Sequence, residues 1–295
     1  VSDIHWRNTA EARAMLEEAI CFANGDIDGV RADVFVDLGD RVQQQGLRAE
    51  NCYWGAFNDV RSLMSLSKVF NALERDVLRV HLDGNHDGAL SPVMTEALLT
   101  DGLDYPIHTG HGFLDTDHVR LLFWNANIRN SESGAGYVAS DRDVVALQMG
   151  LLTSRLPVVM FNHIALDMSN TPQFQNESGE LVDFYHPFYR NGELIKDTIA
   201  EAGNVVLAMS GHIHRYKKPA PVPATCLDAV IEATQYLRLP AVGKDWSRGA
   251  FTVLDIDSKE IDVRVLGDFS RRQPWQGDAP EPFSLALPQM SRVVG

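Results

Sequence analysis

The chain has 295 residues, 45% hydrophobic and 22% charged, a balance that suits a soluble globular protein with a full core and excludes a disordered one. Its net charge of −14 argues against a broad nucleic-acid surface, which needs stripes of Lys and Arg, and no apolar run approaches the ~20 residues of a membrane span. Cys21, Cys52 and Cys226 lie far apart with no C-x-x-C spacing, which argues against both a disulfide framework and a thiolate zinc site.

In chain order, "VSDIHW" reads as the end of a strand whose earlier residues lie before Val1. A helix is predicted from Asn8 to Asn24: Asn8 with Glu11 resembles a capping box, and Ala12, Met15, Leu16, Ala19, Ile20 and Ala23 form one apolar stripe. "DVFVDL" (33–38) comes next as a strand. A second helix is predicted from Asn58 to Arg75, then a strand in "VLRVHL" (77–82) and another in "VRLLFW" (119–124). Val144 to Arg155 reads as a helix, "PVVMFN" (157–162) as a strand, Glu193 to Ala202 as a helix and "NVVLAM" (204–209) as a strand. "GAFTVLDI" and "IDVRVL" flank the polar link "DSKE" and read as a hairpin. The expected class is α/β and layered, with a domain over 1–268 and an irregular, Pro-containing tail over 269–295 packed on it. The composition suits a soluble protein, with the cytoplasm the favoured compartment; oligomeric state is left open.

The residues just after each apolar run carry the chemistry. Val1 leads into Asp3 and His5; "DVFVDL" into Gly39 and Asp40; "VLRVHL" into Asn85, His86 and Asp87; "PVVMF" into Asn162 and His163; "NVVLAM" into His212 and His214. Strand ends in an α/β sheet face one crevice, where ligands bind. Gly39, Gly84 and Gly211 beside these groups fit tight turns that bring backbone close to a site. Alternating strand residues point the same way, so Asp3 with His5, and His212 with His214, are expected to face an ion together. Asp3, His5, Asp40, Asn85, His163, His212 and His214 are too many ligands for one tetrahedral ion and suit two ions sharing a carboxylate. Oxygen and imidazole donors without thiolate suit Mn²⁺, Fe, Zn²⁺, Co²⁺ or Ni²⁺.

The ordered blocks D-x-H, G-D, G-N-H-D, H and G-H-x-H, running from Asp3 to His214, resemble the calcineurin-like metallophosphoesterase family, and "SDIHW", "GNHD" and "GHIHR" are similar to its cyclic-nucleotide phosphodiesterase branch. The resemblance implies a two-sheet mixed β-sandwich flanked by helices, with a dimetal centre at one end of the strands. It implies that Asp3, His5 and His214 hold one divalent or trivalent transition-metal ion, that Asn85, His163 and His212 hold a second, and that Asp40 bridges them. A hydroxide shared by the ions would attack phosphorus. His86 would steady the phosphoryl charge or protonate the leaving group, with Asp87 orienting its ring. Arg41 departs from the apolar residue many relatives carry there; it either touches substrate or sits on the surface.

Asn127 and Arg129 in "NANIRN" are further candidate substrate contacts, and the aromatic segment 164–192 is either a lid or a peripheral insertion. The implied activity is hydrolysis of a small phosphorylated substrate, leaning to a soluble phosphodiester or nucleotide. A phosphomonoesterase or pyrophosphatase with the same site, and a non-catalytic scaffold with the same fold, are the alternatives.

Overall fold

A computed structural model of the chain describes residues 1–6, 9–42, 52–87, 92–100, 107–126, 137–166, 173–175, 181–183, 189, 191–214, 217–223, 233–242, 248–269 and 280–288. Strands β1 (Val34–Asp37), β2 (Leu78–His81) and β3 (His108–Thr109) pair in parallel in that order. Strands β4 (Gly112–Asp115), β5 (Arg120–Phe123), β6 (Val158–Asn162), β9 (Val205–Ser210), β10 (Lys217–Pro223) and β11 (Ala233–Arg238) form a second sheet in the order β10-β11-β9-β6-β5-β4. Its four inner strands are parallel and its two outer strands antiparallel. Strands β5, β6 and β9 are buried along their whole length, as continuous apolar runs covered on both faces require. Between them in sequence, β7 (Gln173–Gln175) and β8 (Leu181–Asp183) form a separate hairpin.

Near the C-terminus β12 (Arg248–Ile256), β13 (Glu260–Asp268) and β14 (Phe283–Ala286) make an antiparallel sheet. The hairpin is as expected. The irregular tail is corrected at 283–286, where a strand alternating between half-buried and exposed positions pairs with β13, Leu285 opposite Ile261.

Three apolar layers order these sheets. Val80 of β2 and Leu38 and Leu82 just beyond β1 and β2, with Ile261 and Val263 of β13, meet Leu121, Phe161, Leu207 and Met209 of the six-stranded sheet in one buried core. On the far side of the first sheet, α1 (Ala10–Ala23) and α2 (Cys52–Phe70) add Leu16, Ile20, Leu66 and Phe70. On the far side of the six-stranded sheet, α4 (Asp141–Leu152) and α5 (Gly192–Ala202) add Leu147, Leu151, Ile195 and Ile199. The remaining helix, α3 (Pro92–Leu99), sends Leu99 into the α1–α2 core. The result is the expected helix–sheet–sheet–helix sandwich.

Helix ends follow local capping chemistry. The α1 cap is Thr9, whose side chain accepts from the Ala12 amide; the proposed Asn8 cap lies outside the described residues. Helix α2 begins at Cys52 rather than Asn58 and stops at Phe70 rather than Arg75. Helix α4 begins at Asp141 because Ser140 and Asp143 form a reciprocal capping box.

Strands β1 and β12 are edge strands of their sheets and flank a cavity of about 790 Å³, walled by Val34, Val36, Phe251 and Val253. None of the predicted metal ligands lines it. Among the described residues, no helix is long and apolar enough to cross a membrane.

Candidate metal centre

Strands β1, β2, β6 and β9 run parallel or on facing sheets, and the loops that leave their C-terminal ends carry Asp40, Asn85, His163 and His212. The segment Val1–Trp6 joins them, but as a loop rather than the strand end expected from its sequence. It lies along the end of β1: the Asp3, His5 and Trp6 amides donate to the Gly39, Asp40 and Arg41 carbonyls at 3.0, 2.9 and 2.8 Å.

The backbone at the predicted ligands is unusual. Among the described residues, the non-glycine residues with positive φ are Asp3 (54°), His5 (45°), Asp40 (54°), His212 (68°) and His214 (60°). All five are predicted ligands. Left-handed backbone at such residues costs on the order of 1 kcal/mol or more each, and such conformations collect at functional sites. Asp3 with His5, and His212 with His214, therefore share a site through left-handed turns rather than through strand alternation.

Glycines let these turns touch. At Gly39, with φ of +104°, a Cβ would stand 2.2 Å from the Gly84 nitrogen, and at Gly84 one would stand 2.2 Å from Asp40 Oδ1. Only glycine permits this approach of the β1 and β2 loops.

The donor atoms fall into two groups with one member in common. Asp3, His5, Asp40 and His214 form the first, and Asp40, His163 and His212 the second; within each, the ligand atoms lie within 4.8 Å of one another. In the first, His5 Nε2 is 2.9 Å from His214 Nε2, which is 3.2 Å from Asp3 Oδ1, and His5 Nε2 is 3.8 Å from Asp40 Oδ2. In the second, His163 Nε2 is 3.3 Å from Asp40 Oδ1 and 3.1 Å from Asn85 Oδ1. All seven predicted ligands thus gather around Asp40.

Three features of this chain fit a cation. His163 Nδ1 lies 3.0 Å from the Leu38 carbonyl, which fixes its proton there and turns the Nε2 lone pair toward two acceptor oxygens. Lone pairs converge in this way only around a proton or a metal ion. Among the described residues, Asp40 Oδ2 and His212 Nδ1 are buried without a hydrogen-bond partner. The donors are imidazole, carboxylate and amide oxygen, the set expected for a first-row transition metal.

Electrostatics of the metal-free cluster agree. Burial would raise the Asp40 carboxyl, but the charge and hydrogen bond of His163 outweigh it and hold Asp40 well below the usual carboxylate range. Asp3 is likewise depressed by His214 against the effect of burial. Burial would lower His163, but Asp40 pushes it up to about 9. Burial and the neighbouring His163 charge push His212 down to about 3. The carboxylates stay ionised and recruit protons onto imidazole where no cation is present.

His86 is 34% exposed while the Asp3 and Asp40 carboxylates are buried; its Nε2 is 4.0 Å from Asp40 Oδ2 and its ring centroid 5.1 Å from that of His5. Its amide donates to Asp40 Oδ1 at 2.8 Å.

Two expectations are corrected. Asp87 does not orient the His86 ring: its Oδ1 accepts from the Arg41 amide at 2.9 Å and its Oδ2 from the Gly84 amide at 2.9 Å. Arg41 does not lie on the surface. It is fully buried, with Nη1 3.1 Å from Asp37 Oδ2 and Nη2 2.5 Å from Asp83 Oδ1. Asn127 and Arg129 lie outside the described residues, as does most of segment 164–192.

Sequence reasoning missed Ser2, whose Oγ donates to Asp3 Oδ2 at 2.5 Å, and Tyr137, whose ring meets His212 edge-on at 5.2 Å between centroids. Burial and the Asp40 charge push the Tyr137 phenol up to about 12. Ser2 was visible as the residue before Asp3. Tyr137 carried no signal, since it sits in no strand-end block.

No protein-family model matches the sequence, and no curated protein matches it. Solved structures do. A dimetal phosphatase from Danio rerio superimposes with a TM-score of 0.64 at 13% identity, covering 97% of both chains. A second solved structure superimposes with a TM-score of 0.56 at 11% identity, covering 90% of this chain and 96% of its own. An archaeal phosphodiesterase covers 97% of both chains at 11% identity with a TM-score of 0.37. The chain has the calcineurin-like metallophosphoesterase fold, and at the strand ends of that fold it carries a cluster of Asp and His that could hold metal.

Proposed function

We propose that this protein hydrolyses phosphoric esters at a dinuclear metal centre, acting on a small soluble phosphodiester or nucleotide. The observation that carries the reading is the pair of donor groups sharing buried Asp40, whose Oδ2 has no hydrogen-bond partner among the described residues. Asp3, His5 and His214 would hold one ion, Asn85, His163 and His212 the other, and Asp40 both. Such ions, when bound, supply Lewis acidity and an activated water at neutral pH.

The chain's own groups do the rest. The charge-rich transition state of phosphoryl transfer is stabilised mainly by position and electrostatics. His86, beside the cluster and open to solvent, is suited to steady the phosphoryl charge or to pass a proton to the leaving oxygen. The hydrogen bond from His163 Nδ1 to Leu38 keeps Nε2 directed at the cluster. The substrate lean rests on the three sequence blocks, and the net charge of −14 disfavours a nucleic-acid polymer.

The test is elemental analysis of the purified protein, with turnover of bis(p-nitrophenyl) phosphate and p-nitrophenyl phosphate in Mn²⁺. Two equivalents of metal and faster hydrolysis of the diester support the reading. Faster hydrolysis of the monoester would move the assignment to a phosphomonoesterase. Absence of metal and of turnover on both substrates would make the protein a binding scaffold.

A further inference from the structure

The guanidinium of Arg41, one residue beyond Asp40, joins the two loops that approach each other at Gly39 and Gly84. Nη1 donates to Asp37 Oδ2 at the end of β1 and, at 2.9 Å, to the Leu82 carbonyl just beyond β2. Nη2 meets Asp83 Oδ1 at 2.5 Å and lies 3.3 Å from Asp87 Oδ2. Asp83 and Asp87 bracket Asn85 and His86. Asp87 closes the ring by accepting from the Arg41 and Gly84 amides. Asp83 is fastened in turn to Asn125 beyond β5: its amide donates to Asn125 Oδ1 at 2.7 Å, and Asn125 Nδ2 donates to Asp83 Oδ2 at 3.2 Å. Three carboxylates and a carbonyl thus converge on one buried cation. A planar fork can serve them together, and a lysine ammonium, a point charge with three donors, serves fewer.

The other half of the cluster is held differently. Asp3 and His5 are tied by their backbone amides to the Gly39 and Asp40 carbonyls. The β9 loop is tied to Asp3 by the His212 amide, 3.1 and 3.0 Å from its two oxygens. None of these bonds uses the Arg41 side chain.

Resting on the dinuclear reading above, we propose that Arg41 is a positioning residue that makes the two halves of the centre unequal. It fixes the loop carrying Asn85 and His86 against Asp40. The ion held by Asn85, His163 and His212 therefore depends on this clamp, and the ion held by Asp3, His5 and His214 does not.

The experiment is calorimetric titration of the metal-stripped, full-length protein with Mn²⁺, comparing wild type, Arg41→Lys and Arg41→Met. Wild type is expected to show two binding events. Arg41→Lys is expected to weaken one event about 10- to 100-fold, the usual effect of losing a group that orients a ligand, and to leave the other within about twofold. Arg41→Met should weaken the same event further. Diester turnover by Arg41→Lys should recover at high Mn²⁺, which a general loss of structure would not allow. If Arg41→Met fails to fold, Asn125→Ala removes the outer tie with Arg41 in place and should produce the same one-sided weakening at smaller size. Equal weakening of both events in Arg41→Lys, or no change in either, would overturn the proposal. A wild type that binds no Mn²⁺ would instead overturn the dinuclear reading, and this inference with it.

Discussion

Metal uptake by the stripped protein should depend steeply on pH, because a proton stands where an ion would sit. His163 Nε2 faces Asp40 Oδ1 at 3.3 Å and Asn85 Oδ1 at 3.1 Å, with its other nitrogen committed to Leu38. Burial opposes a charge there, but the Asp40 carboxylate outweighs burial and raises the imidazole from 6.5 to about 9. The shift of 9 − 6.5 = 2.5 corresponds to about 3 kcal/mol at ~1.4 kcal/mol per unit. Because the folded value is raised, this stabilisation of the metal-free protein is full below pH 6.5 and is lost as pH climbs through 9. An ion needs the same lone pair without its proton, so affinity should rise about tenfold per pH unit well below 9, or about 150-fold between pH 6.5 and 9, where half of the imidazole is still protonated. Mn²⁺ calorimetry at both pH values, in buffers of different protonation enthalpy, reads the affinity and the released proton together. An affinity that changed less than about threefold over that window, with no proton released, would refute the reasoning.

Asp40→Asn should remove both ions together, since the shared carboxylate belongs to each donor group; elemental analysis after passage over a chelating resin reads this, and a variant keeping two ions would refute the bridge. His86→Ala should keep its metal and lose about 10²- to 10⁴-fold in diester turnover, the usual range for a proton-transferring group; an unchanged rate would remove His86 from the chemistry. Gly39→Ala should cost about 2–4 kcal/mol in urea unfolding of the metal-free protein, because the added Cβ meets the Gly84 backbone 2.2 Å away at a φ of +104°; an unshifted midpoint would contradict the close approach of the two loops.

The layered fold was legible because its strands are short apolar runs and its helices carry apolar stripes, and both signals are local. The candidate ligand cluster was legible for a topological reason: parallel strands send their C-terminal ends to one edge, so a repeated habit of ending in Asp, Asn or His reports one place. The misread features depend on contacts between distant segments. Asp3 and His5 looked like alternating strand residues, but the backbone turns left-handed at both, which the residue types alone do not announce. Arg41 looked like a surface or substrate residue because its three carboxylate partners, Asp37, Asp83 and Asp87, come from two strands that meet only on folding. Asp87 comes directly after His86 and so invited a pairing with its ring, yet both its oxygens turn inward to backbone amides. The strand at 283–286 is four residues long and shows no periodicity strong enough to stand out among prolines; its partner β13 supplies the order.

Anomalous diffraction from crystals grown in Mn²⁺ tests the central claim most directly. Two peaks about 3.5–4 Å apart are expected, with Asp40 touching both, Asp3, His5 and His214 around one, and Asn85, His163 and His212 around the other. A single peak that Asp40 does not touch, or none in this cluster, would contradict the account.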